Sequence, residues 1–229
     1  MITKADVYAH LEEKMLGYRE IANVPTKPIN ESLVPISQTK LLLTKQIEPS
    51  MLEITGEAIY VRETLAKMLN KASKGLDVFS NDLQLEVVYG YRHPSIQKAN
   101  FNKLKQKIGK KHPEYTDLEL LEATNRFVAA PGNAGHPTGG AVDLRVLKGG
   151  QQLDMGTAYR EFVPDTYVFS PFNSKKNWQN RQMLRRVMLA CGFAPYDGEW
   201  WHFSYGDKEW AAFYAQPQAI YGQLDFRIP

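Results

Sequence analysis

The chain has 229 residues, a formal net charge of +3 at pH 7, and 43% hydrophobic and 23% charged residues, a composition typical of a soluble globular protein with a substantial core. The small net charge does not favour nucleic acid as a partner, and the densest basic run, six lysines between Lys98 and Lys111, is typical of the solvated face of a helix. The single cysteine, Cys191, excludes an intrachain disulfide and a cysteine-based zinc site.

The N-terminal part of the chain contains no targeting signal that we recognise. It carries too many charges for a signal peptide, and no apolar run approaches the length of a membrane-spanning helix. We therefore predict no membrane partner and a cytoplasmic location, with the bacterial periplasm or cell wall as the alternative if a leader has been removed. The oligomeric state does not follow from the sequence.

No internal repeat or low-complexity linker divides the chain. Residues 24–35 contain three prolines and are typical of an extended segment. We predict that residues 1–40 are a lead-in that wraps a single domain formed by residues 41–229.

The first regular elements are predicted between residues 61 and 92. Residues 61–74 have the apolar spacing of a helix, with Gly75 as its C-terminal stop. Apolar residues alternate from Leu83 to Tyr89, which predicts a strand that runs to a turn at Gly90.

Further elements follow in the second half of the chain. Pro94 is placed to begin a helix, and Thr116 with Glu119 forms a capping box for another. Residues 141–146 are predicted as a strand, residues 180–190 as an amphipathic helix and residues 199–205 as an aromatic-rich strand.

The order of these elements lacks a regular alternation of strand and helix. This irregular order predicts an α+β fold with a single domain, a small antiparallel sheet and flanking helices.

His136 and Asp143 lie seven residues apart across the pair Gly139-Gly140. A hydrolytic zinc site needs three nitrogen or oxygen ligands and an open fourth position, and the glycines would allow the imidazole to fold back beside Asp143. This spacing also occurs by chance in a loop followed by a surface strand, so both interpretations stay open on these residues alone.

The motif EWWH adds Glu199 and His202. With His202 as a third ligand, Glu199 would lie close enough to act as general base without binding the metal, and the surrounding aromatic residues would raise its pKa towards neutrality. The alternative is a buried aromatic strand in which His202 satisfies a hydrogen bond of the core.

Arg92 ends the predicted strand in the motif YGYR. Its guanidinium could stabilise the negative oxygen that develops during amide hydrolysis, or it could be an ordinary salt-bridge partner at the edge of the core. The other histidines outside these motifs, His10, His93 and His112, lack carboxylates at suitable spacing and are predicted to lie at the surface. For His93, which adjoins Arg92, a place in the lining of the cleft is the alternative.

Together, YGYR, HPTGGAVD and EWWHF resemble the M15 metallopeptidases, the group that includes D-alanyl-D-alanine dipeptidases of the VanX type. The motif DMGT, at residues 154–157, and the stretch 180–203 extend the resemblance, which covers residues 42–226.

The resemblance implies one Zn²⁺ per chain bound by His136, Asp143 and His202. It also implies that Glu199 is the general base and that Arg92 stabilises the oxyanion.

Two positions depart from the dipeptidase pattern. Ala134 replaces a serine that contacts substrate, and Arg160 replaces an aspartate that receives the ammonium group of the dipeptide. Asp154, Arg160 and Trp201 are the substrate-binding residues that we predict, and Glu161 or Asp165 are further replacements for the missing carboxylate.

The resemblance implies zinc-dependent hydrolysis of D-alanyl-D-alanine or a similar short peptide derived from the cell wall, so the expected partner is a short peptide that contains D-amino acids. Arg160 and Ala134 favour an alternative with the same fold, a D,D-carboxypeptidase or peptidoglycan endopeptidase that acts on longer stem peptides. The other alternative is a zinc-bearing binding module without catalysis, against which the presence of Glu199 argues.

Overall fold

The structure, a computed structural model, describes residues 1–228. Its helices are Lys4–Glu12 (α1), Tyr18–Ala22 (α2), Leu52–Thr55 (α3), Glu63–Gly75 (α4), Pro94–Lys111 (α5), Asp117–Asn125 (α6), Lys175–Ala190 (α7) and Lys208–Phe213 (α8). Its strands are Leu33–Pro35 (β1), Leu42–Thr44 (β2), Tyr60–Arg62 (β3), Leu83–Tyr89 (β4), Ala141–Lys148 (β5), Gln151–Gln152 (β6), Ala194–Pro195 (β7) and His202–Ser204 (β8).

A six-stranded sheet organises the molecule. Its strand order is β2-β4-β5-β8-β7, with β6 paired to one end of β5. Every pair in this sheet is antiparallel except β2 with β4 at one edge, which is parallel because the chain crosses from β2 to β4 through α3 and α4. The predicted α+β fold with a small antiparallel sheet is confirmed, and the parallel edge pair is an addition to it.

The main core lies between one face of this sheet and helices α4 and α7. It includes side chains from both central strands and both helices, among them Leu85, Val87, Leu144, Leu65 and Leu184, all fully buried. Burying such side chains is the principal stabilising contribution to the fold. The core therefore fixes β4 and β5 as a rigid platform whose opposite face is free to carry chemistry.

A β-bulge changes the direction of the side chains at the end of β4. Val87 pairs with Leu144, but Tyr89 pairs with Asp143, so Val88 is an extra residue on β4. A bulge of this kind reverses the alternation of side chains. Tyr89 consequently lies on the face of Asp143 and not on the core face, as the simple alternation from Leu83 had predicted.

The boundaries of several helices differ slightly from the predicted ones. Helix α4 starts at Glu63, because residues 60–62 form β3, and α7 starts at Lys175, where the Ser174 side chain accepts a hydrogen bond from the Asn177 amide. The capping box of α6 is confirmed, with Thr116 and Glu119 bonded reciprocally.

The predicted strand over residues 199–205 is only partly correct. Strand β8 covers His202–Ser204, whereas residues 199–201 form a turn in which the His202 amide donates to the Glu199 carbonyl oxygen at 3.2 Å. This turn separates the side chain of Glu199 from the sheet.

The N-terminal 40 residues contain α1, α2 and β1. They contact the rest of the chain through ion pairs such as Glu12 with Arg126, at 2.7 Å. The division into a lead-in and a following domain stays a prediction. Among residues 1–228, no helix has the length and apolar character that crossing a membrane requires.

Candidate metal centre

Strand pairing lines up three side chains across the middle of the sheet. Tyr89 on β4 is the register partner of Asp143 on β5, which in turn is the register partner of His202 on β8. Because directly opposed residues in antiparallel strands place their side chains on the same face, Asp143 lies between the other two. His202 Nδ1 is 3.0 Å from Asp143 Oδ1. We call Tyr89, Asp143 and His202 the ligand row.

His136 reaches this row from a short 3₁₀ turn, His136–Thr138, that precedes β5. Gly139 ends the turn with a φ of +72°, a left-handed conformation that glycine adopts without strain, and the chain reverses there into β5. The reversal places His136 Nε2 at 3.3 Å from Asp143 Oδ1. The predicted fold-back across the glycines is therefore present in the structure.

The three side chains form a donor set that fits a divalent metal ion. One ligand atom from each of His136, Asp143 and His202 lies within 4.8 Å of the others, and all three residues are buried. His136 Nδ1 lies 2.8 Å from the carbonyl oxygen of Gly90, which can only accept a hydrogen bond. Nδ1 therefore carries the proton and Nε2 presents its lone pair to the centre, as metal binding requires.

The pKa values of His136, Asp143 and His202 show which of the three side chains carry a proton. Burial lowers the pKa of His136 to about 4, so this imidazole is neutral at pH 7. Burial opposes ionisation of Asp143 as well, but its contacts with the imidazoles of His136 and His202 hold the pKa of the carboxyl well below its ordinary value. Burial likewise disfavours the charged form of His202, yet the hydrogen bond to Asp143 raises its pKa to about 10.

Tyr159 holds the second oxygen of Asp143. Its hydroxyl donates to Asp143 Oδ2 at 2.8 Å, and its ring packs edge-on against Trp201 with centroids 5.4 Å apart. The carboxylate is therefore fixed on both sides, with Oδ2 bonded to the tyrosine and Oδ1 facing the two imidazoles. Sequence reasoning missed Tyr159, because no spacing rule connects a loop tyrosine to a carboxylate sixteen positions earlier.

Glu199 lies on the wall of a cleft that opens over the ligand row. The same cleft is lined by Arg92, His136, Asp143 and His202. Burial raises the pKa of Glu199 to about 8, an effect that the positive charge of His202 reduces and the negative charge of Asp143 increases. A carboxylate whose pKa is raised towards neutral pH is a stronger base than an ordinary glutamate and can both accept and release a proton there.

Arg92 is held in the cleft by its own neighbours. Its Nε donates to the Tyr89 hydroxyl at 2.9 Å, its Nη1 donates to Gln97 Oε1 at 2.7 Å, and the side chain is 8% exposed. Its backbone amide also donates to the His136 carbonyl oxygen at 3.2 Å. The bulge that turns Tyr89 to this face therefore also positions the guanidinium beside the ligand row.

The residues predicted to bind substrate do not all reach the cleft. Arg160 and Trp201 line it, as does Ala134. Arg160 is ion-paired with Glu48, and its backbone adopts a left-handed φ of +59°. The structure does not bring Asp154 there, because its Oδ1 accepts hydrogen bonds from the Gly156 amide and from Asn177 in a separate turn.

Glu161 and Asp165 also lie outside the cleft lining. Glu161 accepts a hydrogen bond from the Ala158 amide, and Asp165 pairs with Lys4 at 3.0 Å. The only acidic residue lining the cleft besides Asp143 and Glu199, among the residues that the structure describes, is Glu209. It lies on α8, seven residues beyond His202, and sequence reasoning did not select it.

The prediction that His93 lies at the surface is wrong. Its side chain is buried, caps the start of α5 and lies with Nε2 at 2.7 Å from Asp225 Oδ1. The partner is 132 positions away in the chain, so no local spacing could indicate it.

Comparison with known proteins gives a family match over most of the chain. The model of the M15 peptidases, described as D-ala-D-ala dipeptidase, matches residues 55–220. A D-alanyl-D-alanine dipeptidase of Synechocystis is 34% identical over a match that covers 39% of this chain and 44% of the relative. One from Streptomyces coelicolor is also 34% identical, over 39% of this chain and 45% of the relative.

The matched region thus spans less than half the length of these curated relatives. Among solved structures, the vancomycin resistance D,D-pentapeptidase VanY in complex with Zn(II) is similar with a TM-score of 0.42 and 19% identity, over 81% of this chain and 90% of that one.

Proposed function

The chain belongs to the M15 peptidase family, and from that premise we propose that it is a zinc-dependent hydrolase of the D-alanyl-D-alanine peptide bond or of a similar short peptide derived from the cell wall. The observation that carries the proposal is the meeting, in one cleft, of the three potential metal ligands His136, Asp143 and His202 with Glu199 and Arg92.

The three ligands suit Zn²⁺ because two imidazole nitrogens and one carboxylate oxygen are a common ligand set for catalytic zinc, which keeps a further position open. When bound, Zn²⁺ supplies Lewis-acid polarisation of a water molecule and of the scissile carbonyl group. The remaining chemistry belongs to side chains of this chain.

Glu199 moves the proton. Its carboxylate accepts a proton from the attacking water while the water oxygen forms a bond to the carbonyl carbon. As the carbon–nitrogen bond breaks, Glu199 delivers that proton to the leaving amine, so that the carboxylate is regenerated. The raised pKa of Glu199, about 8, suits both halves of this transfer near neutral pH.

Arg92 stabilises charge. Its guanidinium is fixed by Tyr89 and Gln97 before substrate arrives, so it can face the carbonyl oxygen as negative charge builds there without a reorganisation cost.

A second candidate substrate class is favoured by one observation. Arg160 lines the cleft at a place where a cation would repel an N-terminal amine, which would suit a longer stem peptide with a blocked N-terminus. Its ion pair with Glu48 reduces that repulsion. We therefore keep the D,D-carboxypeptidase reaction as the alternative and the dipeptidase reaction as the main proposal.

The proposal is tested by measuring the hydrolysis of D-alanyl-D-alanine by three preparations: the zinc-loaded protein, the chelator-treated protein and a zinc-loaded Glu199→Gln variant. We expect chelation to abolish turnover and Glu199→Gln to reduce kcat by about 10²- to 10⁴-fold, the usual contribution of general acid–base catalysis. Zinc content measured by atomic absorption should stay the same in the variant. Turnover by Glu199→Gln at the wild-type rate would show that another group moves the proton.

A further inference from the structure

The ligand row divides the cleft into two sides. On one side, towards β4 and β2, lie the cations Arg92 and Arg160; we call this the β4 side. On the other, towards β8 and α8, lie the carboxylates Glu199 and Glu209; we call this the β8 side.

The β8 side contains polar atoms that the chain itself leaves unsatisfied. Over residues 1–228, four buried side-chain nitrogen or oxygen atoms lack a hydrogen-bond partner. Two of them, Glu209 Oε1 and Asn133 Nδ2, belong to residues that line the cleft, and a third is Oδ2 of Asp207, which is 1% exposed. A buried polar group without a partner costs about 1–3 kcal/mol, so such a concentration at one wall points to a ligand.

Among residues 1–228, no side chain donates a hydrogen bond to Glu209 Oε1, although the positive charge of His202 acts on this carboxylate. Lys208 directs its Nζ to the Ala22 carbonyl oxygen and to Asn133 Oδ1, at 3.4 and 3.5 Å. Arg126, which also lines the cleft, is paired with Glu12 at 2.7 Å. Both basic side chains are thus committed to other partners.

The chemistry of the two free cleft atoms specifies what would fit them. An ionised carboxylate oxygen only accepts hydrogen bonds, and its strongest partner is a cationic donor. Asn133 Nδ2 only donates, because Oδ1 is the atom that Lys208 contacts. The free ammonium group of a peptide N-terminus is the cationic donor that Glu209 Oε1 lacks within the chain.

We propose that Glu209 binds the free ammonium group of a short peptide substrate. This inference rests on the proposed peptidase function and names the end of the substrate that the β8 side recognises. It makes Glu209 the acceptor that Asp154, Glu161 and Asp165 cannot be, since those three are bonded elsewhere.

The experiment compares two peptides that differ only at that group, D-alanyl-D-alanine and N-acetyl-D-alanyl-D-alanine. For zinc-loaded Glu209→Gln, we expect kcat/KM with the free dipeptide to fall about 10- to 100-fold, the loss of one charge-assisted hydrogen bond. With the acetylated peptide, kcat/KM should stay within about twofold of the wild type. Glu57→Gln is the matched control, because Glu57 is exposed and away from the cleft, and it should change neither value.

Binding is measured separately by calorimetry in the Glu199→Gln background. Adding Glu209→Gln should weaken the Kd of D-alanyl-D-alanine by the same factor and leave that of the acetylated peptide unchanged. Equal losses for both peptides, no loss for either, or a wild type that prefers the acetylated peptide would each overturn the proposal. If the wild type hydrolyses neither peptide, the proposed function fails, and the calorimetric comparison still decides whether Glu209 recognises an ammonium group.

Discussion

On the β4 side of the cleft, Arg92 and Arg160 each have partners within the chain, whereas on the β8 side Glu209 and Asn133 have buried atoms with none. Satisfied groups are held in place before any ligand arrives, which suits the stabilisation of charge that develops during a reaction. Unsatisfied groups gain most when a ligand supplies the missing partner. We therefore expect substitutions on the β4 side to change the rate of the reaction and substitutions on the β8 side to change which peptide is bound.

The largest effect that would sharpen this comparison is expected for Arg92→Lys. Lysine keeps the charge but cannot maintain both hydrogen bonds, to Tyr89 and Gln97, while facing the substrate. We expect kcat to fall by about 10²- to 10³-fold, the usual cost of losing one oxyanion-stabilising donor, as measured by steady-state kinetics with D-alanyl-D-alanine.

The control for that variant is Arg227→Lys, the same change at an exposed position. A rise in KM with unchanged kcat would mean that Arg92 only holds the substrate, and the distinction between the two sides would then disappear.

A smaller effect is expected at Tyr159, which holds Asp143 of the ligand row between the two sides. Tyr159→Phe removes the 2.8 Å hydrogen bond to Asp143 Oδ2 and leaves the ring in place. Loss of such an outer hydrogen bond weakens metal affinity by about 10- to 100-fold, which competition with a chromophoric chelator would measure. Tyr115→Phe, at an exposed site, should have no effect, and an unchanged affinity in Tyr159→Phe would show that strand pairing alone orients the carboxylate.

The smallest effect is expected on the free energy of unfolding, from the ion pair between Glu48 and Arg160 on the β4 side. Burial opposes ionisation of Glu48, but the adjacent guanidinium of Arg160 lowers the pKa of Glu48 below its ordinary value of 4.5. A lowered pKa in the folded state gives stability that is fully present above about pH 4.5 and is lost as the pH falls through the folded-state value. Because Arg160 is partly exposed, we expect Glu48→Gln to cost less than about 1 kcal/mol at pH 7.

Urea denaturation of the wild type and Glu48→Gln at pH 7 and pH 3 would test this. The difference in the free energy of unfolding should shrink at the lower pH as Glu48 takes up a proton. A difference that stays the same at both values would mean that the glutamate contributes through packing and not through charge.

The fold class and the residues of the candidate centre could be predicted because both depend on local patterns. Periodicity located β4, β5 and most of the helices, and the glycines before β5 indicated that the chain reverses between His136 and Asp143. Spacing within EWWH likewise related Glu199 to His202, although the structure forms a turn at Glu199 where a strand had been predicted.

What could not be predicted depends on contacts between distant segments. The bulge at Val88 is determined by how β4 pairs with β5, and without it Tyr89 would lie in the core. The pairing of His93 with Asp225 and of Arg160 with Glu48 joins residues that are more than 100 positions apart. Glu209 could not be singled out either, because a carboxylate becomes notable only when its neighbours are seen to leave it unpaired.

The hydrogen bond between His136 Nδ1 and the carbonyl oxygen of Gly90 has a consequence for mutational robustness. The acceptor belongs to the main chain, so no single substitution deletes it, whereas the hydroxyl of Tyr159 that orients Asp143 is lost in one codon change. In a saturation library of this protein, substitutions of Tyr159 should therefore lower metal affinity because they remove the hydroxyl. Substitutions of Gly90 should lower it only when they displace the backbone. The imidazole of His136 is oriented by a main-chain oxygen, so its orientation changes only when the backbone at Gly90 changes.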